Sequence, residues 1–191
     1  VPHQSSQFVP RRRPGVTPTA NLDGEEAAVA DYRDRKGYRA AFLHADDPED
    51  MDDDGEANEA SIALPKVRGE AAKDVLSFQY EGKAETALHY QHFSVVMSES
   101  RRMCFFSAVN IDGSLAKKTK RPSWRWDPRI PRKQQIMNEC YGDPRRFSRG
   151  HMTRREDPAW GEPDIAARGN ADSMHVTNAT PQMQSFNSPV W

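Results

Sequence analysis

Little in this chain is apolar. Leu, Ile, Val and Phe together number 30 of 191 residues, under the roughly 20% that marks disorder when net charge is also high. High net charge is missing too, since 27 Lys and Arg stand against 28 Asp and Glu, a formal net of -1. Few aliphatics without a charge excess exclude a wholly disordered chain and predict folded segments beside polar ones. No window approaches the roughly 18 apolar residues of a membrane-spanning helix, which predicts no membrane partner. Residues 1–15 contain neither an initiator Met nor the apolar stretch of a signal peptide, which predicts no leader and an excised or processed segment. With only two cysteines, Cys104 and Cys140, there is no disulfide framework, and a reducing, cytoplasmic setting is favoured. Cys104, beside Phe105 and Phe106, reads as a buried free thiol.

What is present is a charge asymmetry. Residues 1–20 carry +3 and residues 21–70 a net of -9, whereas residues 101–155 carry 15 basic and 4 acidic side chains, a net of +11. Such a basic block is the footprint of a polyanion partner, because Lys and Arg that neutralise phosphates release counterions. A solvated basic face is the plainer reading. Aromatics interleaved with the cations, as in Trp124-Arg125-Trp126 and Arg145-Arg146-Phe147, add stacking to charge and favour nucleic acid.

Composition divides the chain into a proline-rich flexible arm (1–20), an acidic extension (21–74) that includes a loop over 44–61, and a domain over 75–191. Residues 24–43 read as a short helix with a turn at Gly37. The stretches 76–81, 87–98 and 101–112 read as strands, the last two joined by a turn around Ser98–Ser100. A basic loop follows over 117–131, then a short helix over 132–140. A strand within 143–155, strand character over 173–178 and a helix after Pro181 complete an α+β chain without internal repeats.

The informative stretch is Phe147-Ser148-Arg149-Gly150-His151-Met152, followed by His175-Val176-Thr177-Asn178-Ala179-Thr180-Pro181-Gln182 and then Phe186-Asn187. Alone, a histidine after Arg-Gly is more often a surface or core residue than a base. Together the segments resemble the DNA/RNA non-specific endonuclease family, including the Serratia-type nucleases and mitochondrial endonuclease G. That family's signature is Asp-Arg-Gly-His, then Asn-x-x-Pro-Gln, then a helical Asn. The resemblance covers residues 75–191 and implies a ββα-metal (His-Me finger) nuclease core on an antiparallel sheet. It assigns His151 as general base and Asn187 as the holder of one Mg2+, with Mn2+ as an alternative. Arg149 becomes a phosphate or structural contact, and Arg121, or alternatively Arg125, the arginine of the basic loop. Asn178 and Gln182 would fix the hairpin and the water shell of the metal, or simply cap turn and helix ends. The chemistry is coherent: phosphodiester hydrolysis needs an activated water, a cation for developing charge, and donors that hold the phosphate.

Two departures stand out. Ser148 occupies the place of the family's Asp and supplies no negative charge. The family pattern also continues past the Asn to a Glu and further elements, so the resemblance implies that this chain is a fragment completed by a further polypeptide segment. A separate motif, Asp50-Met51-Asp52-Asp53-Asp54-Gly55, matches the start of a calcium loop. Asp50, Asp52 and Asp54 are thus candidate Ca2+ ligands, although Ser61 stands where a bidentate Glu is expected; a solvated acidic loop is the plainer reading. The expected function is a metal-dependent, sequence-tolerant endonuclease acting on DNA or RNA, monomeric or oligomeric. It could be the toxic effector part of a larger, proteolytically processed protein. The alternative is a nucleic-acid-binding module without catalysis.

Overall fold

A computed structural model of the chain describes residues 32–44, 61–141 and 147–187. The candidate calcium ligands Asp50, Asp52 and Asp54, the arm over 1–20 and most of the acidic loop lie outside these residues.

The described chain is α+β and its sheets are antiparallel. A hairpin joins β1 (Phe78–Tyr80) to β2 (Lys83–Glu85). A three-stranded sheet is ordered β3 (Ala87–His89), β4 (Phe93–Met97), β5 (Cys104–Val109), with β4 in the centre. All five residues of β4 are buried, which is why Phe-Ser-Val-Val-Met reads as a continuous run rather than an alternating one. A second pair, β6 (Phe147–His151) and β7 (Ala179–Met183), is antiparallel. The helix α1 (Pro163–Ser173) lies between these two strands in sequence, and the single turn α2 (Gln184–Asn187) follows β7 directly. The chain order from β6 onward is thus β6, α1, β7, α2, with β6 and β7 paired.

The core gathers Tyr32, Leu76, Phe78, Leu88, Tyr90, Phe93, Val95, Met97 and Ile130. At its centre an Asp127–Arg129 ion pair (Nη2 to Oδ2, 2.7 Å) is almost wholly buried. The Arg129 guanidinium lies 4.2 Å from the Tyr32 ring centroid and 4.7 Å from that of Tyr90, and donates to His89 O at 2.7 Å. Burial alone would raise the Asp127 pKa, but Arg129 outweighs it and holds the carboxyl below its ordinary value. Gln135 closes the loop, accepting from Asp127 N–H and donating to the carbonyls of Asp127 and Ile130.

Several elements differ from the sequence expectation. The run 87–98 is two strands, because the chain turns back at Gln91–His92, with Tyr90 N–H bonded to Phe93 O at 2.9 Å. His92 sits there at φ +68°. Its strain is offset by stacking on Trp160 (centroids 3.4 Å apart, 8° between planes) and by a 3.0 Å hydrogen bond to Pro158 O. The loop between β4 and β5 spans Ser98–Met103 and is closed by Ser98 N–H to Met103 O. Of the helix expected over 132–140 only a 3-10 turn at Arg132–Gln134 forms. Residues 32–44 form no long helix: turns lie at 32–34 and 40–41 and a 3-10 turn at Phe42–His44, while Gly37 takes φ +75° in an unassigned stretch. Residues 173–178 are the end of α1 and a 3-10 turn rather than a strand. The helix α1 carries Pro163 in its first turn but buries mainly Ala166, Gly169, Asn170, Asp172 and Ser173, so it has no apolar stripe to reveal it.

Candidate active site

The β6–β7 register brings the motif residues face to face. Ser148 lies opposite Gln182, Arg149 opposite Pro181, Gly150 opposite Thr180 and His151 opposite Ala179. Just beyond β6, Met152 N–H donates to Asn178 O at 2.9 Å. By the alternation of antiparallel ladders the Arg149–Pro181 pair is therefore a non-hydrogen-bonded one, so the missing N–H of Pro181 costs the ladder nothing. Gly150 has a steric reason: a Cβ there would come within 2.0 Å of Gln182 Cδ. Asn178 is fully buried. Its Oδ1 accepts from Thr153 N–H, and its Nδ2 donates to the carbonyls of Thr153 and Ser173. It thus clamps the chain two residues after His151 to the end of α1. Gln182 donates weakly to His151 O at 3.4 Å. Both amides act here as braces.

A cavity of about 580 Å3 opens against this hairpin. It is lined by Arg121 and Trp124 of the basic loop, and by Ser148, Arg149 and His151 of β6. Arg154, Arg155 and Glu156 of the following turn and Gln184 and Asn187 of α2 complete the wall. Of the expected site residues, Arg121, Ser148, Arg149, His151 and Asn187 therefore share one cavity, while Asn178 and Gln182 support it from behind. Arg125 is not in the lining; its backbone pairs with Met174 and Val176 and its charge acts on His175. Four arginines face one carboxylate, and Glu156 is already paired with Arg155.

His151 is buried, with the Trp124 ring tilted over it at a centroid distance of 4.4 Å. Burial, then the charges of Arg121 and Arg155, push its pKa down to about 4, so the ring is neutral at physiological pH. Its Nε2 meets Met174 Sδ at 3.2 Å. A thioether has no hydrogen to give, so this contact suits the tautomer with its proton on Nε2. Arg149 is anchored rather than mobile, since Nη1 donates to Met137 O at 2.7 Å and Asn138 Oδ1 at 3.0 Å, between the rings of Trp124 and Tyr141.

Asn187 donates from Nδ2 to Ser148 Oγ at 2.8 Å and to Arg149 O at 3.3 Å. Among the described residues no group of three or more His, Cys, Asp or Glu side chains could hold a metal. A single amide oxygen suits a hard cation that keeps most of its water, and does not suit zinc, which takes several protein ligands.

This constellation agrees with a sequence comparison. The profile of the family described as DNA/RNA non-specific endonuclease matches residues 71–191, which include every residue lining the cavity. The chain belongs to that family. The chain is also similar to the uncharacterized protein y4fB of Sinorhizobium fredii (strain NBRC 101917 / NGR234), 39% identical over 168 residues. That match takes in 83% of this chain and 23% of the relative, so the chain spans less than a quarter of that protein's length. The folded unit is not confined to the matched region. Tyr32, from outside it, donates to His175 Nε2 at 2.6 Å, and Arg35 pairs with Asp172 at 2.7 Å.

Sequence reasoning missed Met174, Arg154, Arg155, Glu156 and Gln184. Arg154 and Arg155 carried a signal, since with Arg149 they bracket His151 within seven residues. Met174 carried none, because its contact with His151 arises only when the hairpin closes.

Proposed function

We propose that this chain is a metal-dependent endonuclease that hydrolyses phosphodiester bonds of DNA, and of RNA, without reading base sequence. The observation that carries the reading is a neutral histidine at the wall of a cavity that is otherwise strongly cationic. His151 takes the proton of an attacking water on Nδ1, while Met174 and Trp124 hold its ring. Arg121 and Arg155 draw in the phosphodiester anion. The anion offsets the charges that depress His151 and raises its proton affinity as substrate binds. Arg149, fixed by Met137 and Asn138, contributes positive potential rather than reach. Asn187 Oδ1 would hold a divalent ion such as Mg2+ or Mn2+, which would supply positive charge where the reacting phosphate and the leaving oxygen become negative. Contacts through arginines to phosphate position a strand without specifying its sequence.

The test is cleavage of supercoiled plasmid and of single-stranded RNA with Mg2+, with Mn2+ and with EDTA. Cleavage of both substrates with either ion, and none with EDTA, is expected. Binding of DNA without cleavage under every metal condition would overturn the proposal in favour of a non-catalytic binding module.

A further inference from the structure

The serine before Arg149 has a geometry that gives it work. Asn187 Nδ2 lies 2.8 Å from Ser148 Oγ and 3.3 Å from Arg149 O. A carbonyl oxygen can only accept, so the end of the amide against Arg149 is the nitrogen, and the oxygen is the opposite end. Arg149 O is available because its pair with Pro181 is a non-hydrogen-bonded one, which turns that carbonyl away from β7. The Ser148 hydroxyl in turn donates to Gln182 O at 3.4 Å, which leaves its lone pairs for Asn187. Ser148 and Asn187 line the same cavity.

We propose that Ser148 is a positioning residue that locks the Asn187 amide with its oxygen presented to a divalent cation. The proposal rests on the endonuclease reading above. Ser148 touches neither cation nor substrate; it acts by removing the rotation that would exchange the two ends of the amide. A neutral hydroxyl does this without a carboxylate, so the cation site carries little negative charge of its own.

The experiment follows the side-chain amide signals of Asn187 by NMR in the full chain as Mn2+ alone is added, since bound Mn2+ broadens nearby signals. In the wild type these signals broaden selectively. Ser148→Ala is expected to need about tenfold more Mn2+ for half-broadening, with the metal-free amide signals shifted and the melting temperature within a few degrees. Ser148→Thr, which keeps the hydroxyl, is expected to stay within about twofold of wild type. Plasmid nicking by Ser148→Ala is expected to recover at high Mn2+. The proposal is overturned if Ser148→Ala folds and titrates like wild type. Should Ser148→Ala fail to fold, a Thr variant with tenfold weakened Mn2+ broadening overturns it and one with wild-type broadening supports it. Absence of broadening at Asn187 in the wild type overturns the Asn187 assignment itself, which is a separate result.

Discussion

Burial and two flanking arginines depress the His151 pKa together, and one substitution separates them. Arg121→Ala removes the arginine with the larger effect on the ring and leaves the burial. The His151 pKa should therefore rise from about 4 toward its ordinary value, as read by NMR titration of the ring. Cleavage should meanwhile fall about 10- to 100-fold, because a charge-assisted phosphate contact is lost. The acid limb of the rate profile should move to higher pH in the variant. An unmoved pKa would mean that Arg121 does not face the ring. Motif residues such as His151 and Asn187 were legible in the sequence because each lies in a short local motif. Their partners were not. Met174 under His151 and Tyr141 beside Arg149 are contacts that no local spacing encodes.

At the scale of elements, the loop that carries Trp124 is stiff for a reason its composition concealed. A basic loop over 117–131 reads as a phosphate-binding stretch, yet Arg129 is turned inward onto Asp127 and three tyrosine rings. Arg129→Met would leave the Asp127 carboxylate buried and unpaired. It should lower stability by about 3–5 kcal/mol in urea unfolding, whereas an exposed pair such as Lys73–Glu70 should cost under about 1 kcal/mol. The elements readable in the sequence were those rich in β-branched or aromatic residues, β4 and β5 above all. Helix α1 was invisible because it buries small and polar residues. The hairpin at Gln91–His92 was hidden because a histidine, not a glycine, takes the left-handed position there.

Over the whole molecule, near-neutrality conceals a cationic cavity, and His92, His151 and His175 are all buried. His92 and His151 have pKa values of about 4, and burial lowers that of His175 as well. The unfolded chain therefore binds more protons than the folded one between about pH 6.5 and 4. Stability should be fully present above about pH 6.5 and be lost steadily as pH falls toward 4. The midpoint of urea unfolding should follow that slope, and His92→Gln should flatten it. A midpoint independent of pH across that window would contradict the burial of these rings. The tie between Tyr32 and His175 extends the same unit to residues before the family match.

The central claim is that His151 is the base of a phosphodiesterase, and nicking of supercoiled plasmid by wild type and His151→Ala at equal DNA occupancy tests it most directly. Mg2+-dependent nicking by wild type is expected, with a loss of about 100- to 10,000-fold in the variant and DNA binding intact. Nicking by His151→Ala at the wild-type rate would contradict it.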